Sequence, residues 1–318
     1  MATPLPKPWL TVIMPTHHGA EWIDGSLGSL VEHGSNGIEI LVLDSSSNPD
    51  TLSAVDRFSN RLHIRVLDPG DRVMWHAKTN LGVEEARADH VCWLHQDDLW
   101  LPGRSTAVRR WIEAHPDAAL HLGNSLIVDR AGKPMGRWKC PFDREGVLRP
   151  DWLLERLLVQ NFVAAPTPVY RRDAYLAVGG LDESLWYTAD WDLWLKLQAA
   201  GVVCFHPEVT AAFRIHGSSL TVSGSRNPAD FREQMQIVLD RHLPRLKAQV
   251  EAVHRTSNAS IEVNTALAAA AGGDMTQLRR AARALLALRP SEWIRFWRDS
   301  RLMDRLIPRL RARLSGAF

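Results

Sequence analysis

Two adjacent carboxylates, Asp97 and Asp98, stand just past the apolar run Val91 to Leu94. Such a run reads as a buried strand, and the carboxyl end of a strand in an open α/β sheet faces the crevice where ligands bind. Unpaired buried charge is costly, so two acids there call for a partner. A divalent cation with a phosphate-bearing ligand would serve, because Mg2+ takes a few carboxylates together with substrate phosphates. The other reading is structural, with the pair opening the turn before a helix expected near Gly103 to Ala114. Asp44 closes a second apolar run, Ile38 to Leu43, ahead of three serines. Asp190 heads a helical stretch with Leu193, Leu197 and Ala200 on one face. A carboxylate there suits a general base or a helix N-cap, and both can hold together.

The elements that must position these acids alternate regularly. Leu10 to Met14 reads as a strand stopped by Pro15, Glu21 to Glu32 as a helix, and Ile38 to Leu43 as a second strand. Asp50 to Ser59 suits a helix, Leu62 to Leu67 a strand, Met74 to Ala86 a helix, and the run before Asp97 the fourth strand. Four alternations with short turns predict a parallel, doubly wound sheet with polar groups along one edge. Neither GxGxxG nor a P-loop is present, which weighs against dinucleotide and P-loop chemistry. Further on, Ala118 to Val128 reads as a long strand with a hairpin turn at Asp129 to Gly132, and Asp151 to Val159 as an amphipathic helix. Phe162 to Tyr170 carries Pro166 and Pro168, which predicts an edge strand or bulge. Arg171 to Val178 is a short helix ended by Gly179-Gly180. Val202 to Phe205 and Val209 to Ile215 read as two strands, with His216 to Thr221 as a loop, and residues 229 to 314 as almost wholly helical.

At 318 residues and 45% hydrophobic, the chain can bury a sizeable core. Cys92, Cys140 and Cys204 show no metal-ligand spacing and read as core residues in a reducing compartment. The first eight residues lack the apolar core of a signal peptide, and no segment has the apolar length of a membrane span, so a cytoplasmic location is expected. The net charge of +2 hides an asymmetry. From Gln277 onward there are 11 Arg and no Lys against Glu292, Asp299 and Asp304, a net +8, so the rest of the chain carries −6. An acidic body with an arginine-rich tail is unlike a uniformly basic nucleic-acid binder, and no nucleic-acid partner is expected.

The ordered set Pro15-Thr16, Asp44, Asn80-Leu81-Gly82, Asp97-Asp98, Gly179-Gly180-Leu181-Asp182-Glu183, Asp190-Trp191-Asp192-Leu193-Trp194 and Arg214-Ile215-His216 resembles the family 2 glycosyltransferases. The resemblance covers about residues 9 to 222. It implies the GT-A fold, an α/β domain with a mostly parallel central sheet flanked by helices, here with a helical C-terminal appendage. The domain would span residues 1–228, with a nucleotide-binding half over 9–100 and an acceptor and catalytic half over 101–228; residues 229–318 form the appendage. The implied activity is inverting transfer of a sugar from a nucleotide-diphosphate donor to a hydroxyl of a glycan or lipid-linked acceptor, in bacterial surface polysaccharide assembly. The implied cofactor is Mg2+ or Mn2+.

Carried over by position, Pro15, Thr16, His18, Asp44, Lys78, Asn80 and Asp97 would hold the nucleotide sugar. Asp98 and His216 would hold the metal, and Asp190 would be the catalytic base. The first acid of the family's DXD-type motif is His95 here, and Ala189 stands where the family usually has Glu before the base. Trp186 and Trp191 would offer aromatic faces to an acceptor sugar, although core packing is the commoner use of such rings. Asp192 faces elsewhere, toward Lys196. The tail mixes Leu, Ile, Trp and Arg, which fits a peripheral position at the inner face of the membrane. Helices packing on the domain or pairing with another subunit fit slightly better, because the arginines do not segregate cleanly to one face. Two competing functions remain: a nucleotidyltransferase, which would want a Gly-rich basic loop after strand one, and a catalytically inactive nucleotide-sugar-binding module.

Overall fold

The computed structural model describes residues 7–217 and 227–314; the part of the expected loop from 218 to 221 lies outside them. The first four strands, β1 (Leu10–Thr16), β2 (Ile38–Asp44), β3 (Ile64–Leu67) and β4 (His90–Trp93), pair in parallel in the order β3-β2-β1-β4. Helices α1 (Ala20–His33), α2 (Asp50–Asp56) and α3 (Trp75–Glu85) connect them. Because successive side chains of a strand point to opposite faces, each apolar run feeds two cores. Leu10, Val12, Met14, Ile40 and Val42 pack toward α1 and α2. Ile13, Leu41, Leu43, Val91 and Trp93 pack toward the other face. Gly82 lets α3 approach β1: a Cβ there would stand 2.6 Å from the Ile13 side chain.

Pro15 does not stop β1; it pairs with Leu43 inside the strand. Ile13 accepts the Leu94 N–H, so Pro15, two residues on, turns its missing N–H to the same side, where β4 has already ended. Beyond β4 the chain forms β5 (Leu99–Trp100), α4 (Arg104–Ala114), β6 (Leu120–Val128), β7 (Pro134–Trp138), β8 (Gly146–Val147) and α5 (Pro150–Val159). It continues with β9 (Val169–Arg171), α6 (Arg172–Ala177), α7 (Ala189–Ala200) and β10 (Val203–Arg214). The sheet continues from β4 as β9-β6-β10-β5.

Two expectations are corrected here. The stretch from Phe162 to Tyr170 is irregular up to Pro168, and β9 then lies in the middle of the sheet, antiparallel to both β4 and β6. Its two prolines fall before pairing begins, so neither removes a ladder hydrogen bond. The two strands expected around residues 202–215 are one bent strand, β10, with register shifts between Phe205 and Ala211.

The C-terminal helices are α8 (Pro228–His242), α9 (Val250–Ala271), α10 (Leu278–Leu286), α11 (Pro290–Ser300) and α12 (Leu302–Leu314). The apolar core runs across residue 228 without a break. Phe231, Met235, Val238 and Leu239 of α8, with Val253 and Ile261 of α9, join α5 and α7 in one cluster. Among the described residues no helix is long and apolar enough to cross a membrane.

Candidate active site

A cavity of about 550 Å3 opens at the carboxyl edge of β1 and β4. Its walls bring together Pro15, Thr16, Lys78, Asp97, Asp190, Trp191 and His216 from the expected set. His18, Asp44, Asn80, Asp98 and Trp186 do not line it, and each has a structural reason.

Asp44 is consumed locally: its Oδ1 accepts from Thr16 Oγ1 at 2.9 Å and from Ser46 Oγ at 2.7 Å. His18 is exposed in a positive-φ conformation, its backbone N–H given to Ser46; its neighbour His17 lines the cavity instead. Asn80 is a clamp. Its amide donates to Leu181 O and Glu183, while its Oδ1 accepts from the Leu181 N–H and from Tyr175 Oη. Gly180, at φ +64, passes so close that a Cβ would sit 2.7 Å from Asn80 Oδ1, which accounts for the Gly-Gly pair. Trp186 contributes its carbonyl to Trp75 Nε1 and stacks edgewise on Tyr187, which lines the cavity in its place.

The acidic pair divides. Asp98 is 1% exposed and turned toward β10, where its Oδ1 accepts the Arg214 N–H at 3.0 Å. Its other oxygen faces His95 Nδ1 at 3.6 Å with no hydrogen bond. Burial pushes the Asp98 carboxyl up to about 6, against the pull of His95. Asp97 faces the cavity, its Oδ2 2.9 Å from His216 Nε2. His216 is set by β10: it follows the strand and stacks on Trp22 at 4.5 Å, and the Arg214 guanidinium lies over the same Trp22 ring. Arg214 Nε donates to Asp97 O, which ties the acidic turn to the end of β10.

Lys78 is 2% exposed, with Nζ donating to Thr16 O at 2.6 Å and Ser45 Oγ at 2.8 Å. Burial lowers its ammonium to about 8, partly countered by Asp44. His95 sits between Trp75 and Trp93. Burial disfavours its charged form, but the carboxylates of Asp98, Asp97 and Asp190 outweigh this and raise it.

Across the cavity stands Asp190, in the first turn of α7. Its Oδ1 accepts the Trp191 N–H at 2.7 Å, and its Oδ2 accepts Asn161 Nδ2 at 3.1 Å. The N-cap position is Thr188, whose hydroxyl donates to Gln234 O and makes no capping hydrogen bond, while Asp190 lies inside the first turn and accepts one of its free N–H groups, that of Trp191. Desolvation pushes the Asp190 carboxyl up to about 6, held from rising further by the Trp191 N–H, Asn161 and the charge of His95. Asn161 thus provides the hydrogen-bonding neighbour absent at Ala189. Trp191 presents an edge to the cavity but is 3% exposed, with Nε1 donating to Leu157 O, so packing is its main role.

The remaining wall was not foreseen. Gln160 and Asn161 follow α5, while Phe231 and Met235 come from α8 and Asn264 from α9. Gln160 Oε1 accepts from Ser260 Oγ at 3.0 Å and Asn264 Nδ2 at 2.7 Å, so α9 fixes the loop whose Asn161 holds Asp190. The only sequence signal was a polar Gln160-Asn161 pair interrupting apolar residues. Among the described residues, one trio of ligand-type side chains gathers within 4.8 Å: Glu145, His206 and Glu208. It lies beside the bend of β10, eight to ten residues before His216, roughly 25 Å along an extended strand. It does not serve this cavity.

The sequence profile described as glycosyl transferase family 2 matches residues 11–154. An uncharacterized glycosyltransferase of Rickettsia typhi is 25% identical over 231 residues, covering 68% of this chain and 66% of the relative. An uncharacterized protein of Mycobacterium tuberculosis is 27% identical over 217 residues, covering 63% and 65%. The chain thus spans just under two thirds of the length of these relatives. In three dimensions it resembles Staphylococcus aureus TarS residues 1–349, solved with UDP-GlcNAc, at a TM-score of 0.64 and 16% identity over 96% of this chain and 92% of that one. It also resembles the mannosyltransferase PcManGT of Pyrobaculum calidifontis, solved with GDP-Man and Mn2+, at a TM-score of 0.52 and 17% identity over 97% and 88%.

Proposed function

We propose, from the premise that the chain belongs to glycosyl transferase family 2 and has its GT-A fold, that it moves a sugar from a nucleotide-diphosphate donor to an acceptor hydroxyl with inversion. The observation that carries this reading is that one cavity holds Asp97, His216 and Lys78 on one wall and Asp190 on the facing wall. TarS and PcManGT, solved with UDP-GlcNAc and with GDP-Man, support a nucleotide-sugar donor of this class.

Asp190 takes the proton of the acceptor hydroxyl, whose oxygen forms a bond to the anomeric carbon. The bond from that carbon to the diphosphate oxygen breaks, and its electron pair leaves with the nucleoside diphosphate. With its carboxyl near 6, Asp190 is ionised at neutral pH yet more basic than an exposed aspartate. Asn161 and the Trp191 N–H fix the orientation of its two oxygens. A carboxylate oxygen beside an imidazole nitrogen, at Asp97 and His216, fits Mn2+ better than the oxygen-seeking Mg2+, and both line the cavity whereas Asp98 is enclosed. Asp97 and His216 would hold the cation, and Asp98 would brace them through Arg214. When bound, the cation offsets charge on the departing diphosphate.

The acceptor is a glycan or lipid-linked glycan of surface polysaccharide assembly, reached at the inner face of the membrane. Leu286, Ile294 and Trp297 of α10 and α11 are 81%, 69% and 52% exposed among arginines, which supports such a peripheral contact. The deciding experiment is a thermal-shift panel of UDP, GDP, dTDP, ADP and CMP, each with Mn2+, Mg2+ or EDTA. A diphosphate bound only by the folded state raises Tm in proportion to the logarithm of its concentration. One diphosphate should stabilise the protein with Mn2+ or Mg2+ and lose most of its effect with EDTA or in Asp97→Asn. No shift with any nucleotide would remove the donor from the proposal.

A further inference from the structure

A second cavity, of about 310 Å3, lies away from the catalytic one, walled by Trp152, Glu155 and Arg156 of α5, Gln249 at the start of α9, and Arg295 and Arg298 of α11. The geometry points to an oxyanion site here, for a phosphate group. Three guanidiniums, those of Arg156, Arg295 and Arg298, line this one space. Arg295 and Arg156 are held there at only 12% and 15% side-chain exposure, and Arg298 at 44%. Keeping charged groups so enclosed is costly unless their hydrogen bonds are met.

They are met incompletely. Arg295 Nη2 donates to Gln249 Oε1 and approaches Glu155 at 3.6 Å, but its Nη1 is buried without a hydrogen-bond partner. Arg298 is bidentate to Asp299, at 2.7 and 2.6 Å, and Arg156 reaches the same carboxylate at 3.7 Å. Glu155 and Asp299 answer these arginines, Asp143 acts on Arg156 as well, and Arg156 also donates to Pro141 O, so the N–H left over is that of Arg295. A guanidinium with a spare N–H matches a phosphate oxygen in charge and geometry. The ring of Trp152 forms the cavity's flank, with Arg149 stacked at 4.4 Å and Arg156 at 6.0 Å.

Two sources share this chemistry: a phosphate carried by a soluble ligand or acceptor, and the headgroup of a phospholipid. Either would act near the reaction. From Trp152 to Asn161 is nine residues, mostly along α5, so the two cavities stand about 13 Å apart along that helix. The site itself does not depend on the transferase reading.

The test uses inorganic phosphate against chloride at matched ionic strength, read as the change in Tm, for the full chain and for Arg295→Gln. Phosphate should stabilise the unmodified protein, and Arg295→Gln should weaken that effect about 10-fold or more. Should Arg295→Gln fold poorly, Arg295→Lys keeps the charge, withdraws the spare N–H, and should lose most of the phosphate response. Equal stabilisation in protein and variants, or none in either, overturns the site; the first outcome would assign the phosphate to the catalytic cavity instead. Sedimentation with phosphatidylglycerol vesicles separates the sources. Loss of vesicle binding in the variants that lose phosphate marks a headgroup, and retained vesicle binding in those variants marks a soluble phosphate ligand. The nucleotide panel run on the same variants reports separately on the transferase reading.

Discussion

The two faces of α7 hold aspartates two residues apart in opposite electrostatic states. Asp190 looks into the cavity, where desolvation dominates and pushes its carboxyl up to about 6. Asp192 looks toward α8, where burial also disfavours charge. There His242 at 2.8 Å, Lys196 at 2.8 Å and Arg241 at 2.9 Å outweigh burial and pull it down to about 2. The residue type and the helix are the same, and only the partners differ. A carboxylate surrounded by cations has its proton affinity spent on structure. One given only an amide and a backbone N–H retains the affinity that proton transfer needs.

The sharpest way to break this comparison is to remove each charge in turn. Asp190→Asn should cut transfer by about 10^2- to 10^4-fold while leaving Tm unchanged or higher, measured as turnover and thermal unfolding on one preparation. Asp192→Asn should do the reverse. It should cost about 3 kcal/mol of stability by denaturant unfolding, because Lys196, Arg241 and the His242 ring lose their buried ionic partner, while turnover per folded molecule holds. A comparable loss of turnover in both variants would erase the distinction.

The pH dependence should separate them again. Asp190 binds its proton more tightly folded than unfolded, so its contribution favours the folded state at low pH and fades as pH rises through 6. Asp192 contributes stability above about pH 4, lost as pH falls toward 2. Activity should therefore fall below about pH 6 while the fold persists, which paired rate and Tm profiles would reveal. Asn161→Ala should move that acid limb upward by about one pH unit, since a hydrogen bond to the ionised form is lost. A merely structural Asn161 would lower the rate without moving the limb. The smallest effect should come from Ile294→Ser with Trp297→Ser: weaker sedimentation with anionic vesicles and unchanged turnover on a soluble acceptor.

The parallel half of the fold is legible because its strands are mostly apolar runs separated by short turns and helical stretches, and Thr16 and Asp97 sit at or just past the ends of β1 and β4. Asp98, expected at the metal, is turned toward β10 while Asp97 faces the cavity, because adjacent residues on a turn point in different directions and sequence alone does not say which goes where. Asp44 and Asn80 look like ligand residues by type, but one Asp44 oxygen accepts from Thr16 and Ser46 and the Asn80 amide is held by Tyr175, Leu181 and Glu183, contacts that sequence spacing does not announce. Phe231, Met235 and Asn264 carry no local signal at all. They reach the cavity only because α8 and α9 fold back over α5 and α7, which no periodicity in either helix announces.

That fold-back gives the molecule a temporal order. Gln160 must wait for partners 100 and 104 residues downstream. At a ribosome's pace of about 5–20 residues per second, Gln160 has emerged for roughly 5–20 s before Ser260 and Asn264 follow and the loop beside Asp190 can be fixed. During that interval a nascent chain can present its nucleotide-side wall without a completed catalytic pocket, so sugar transfer should begin only after α9 has docked.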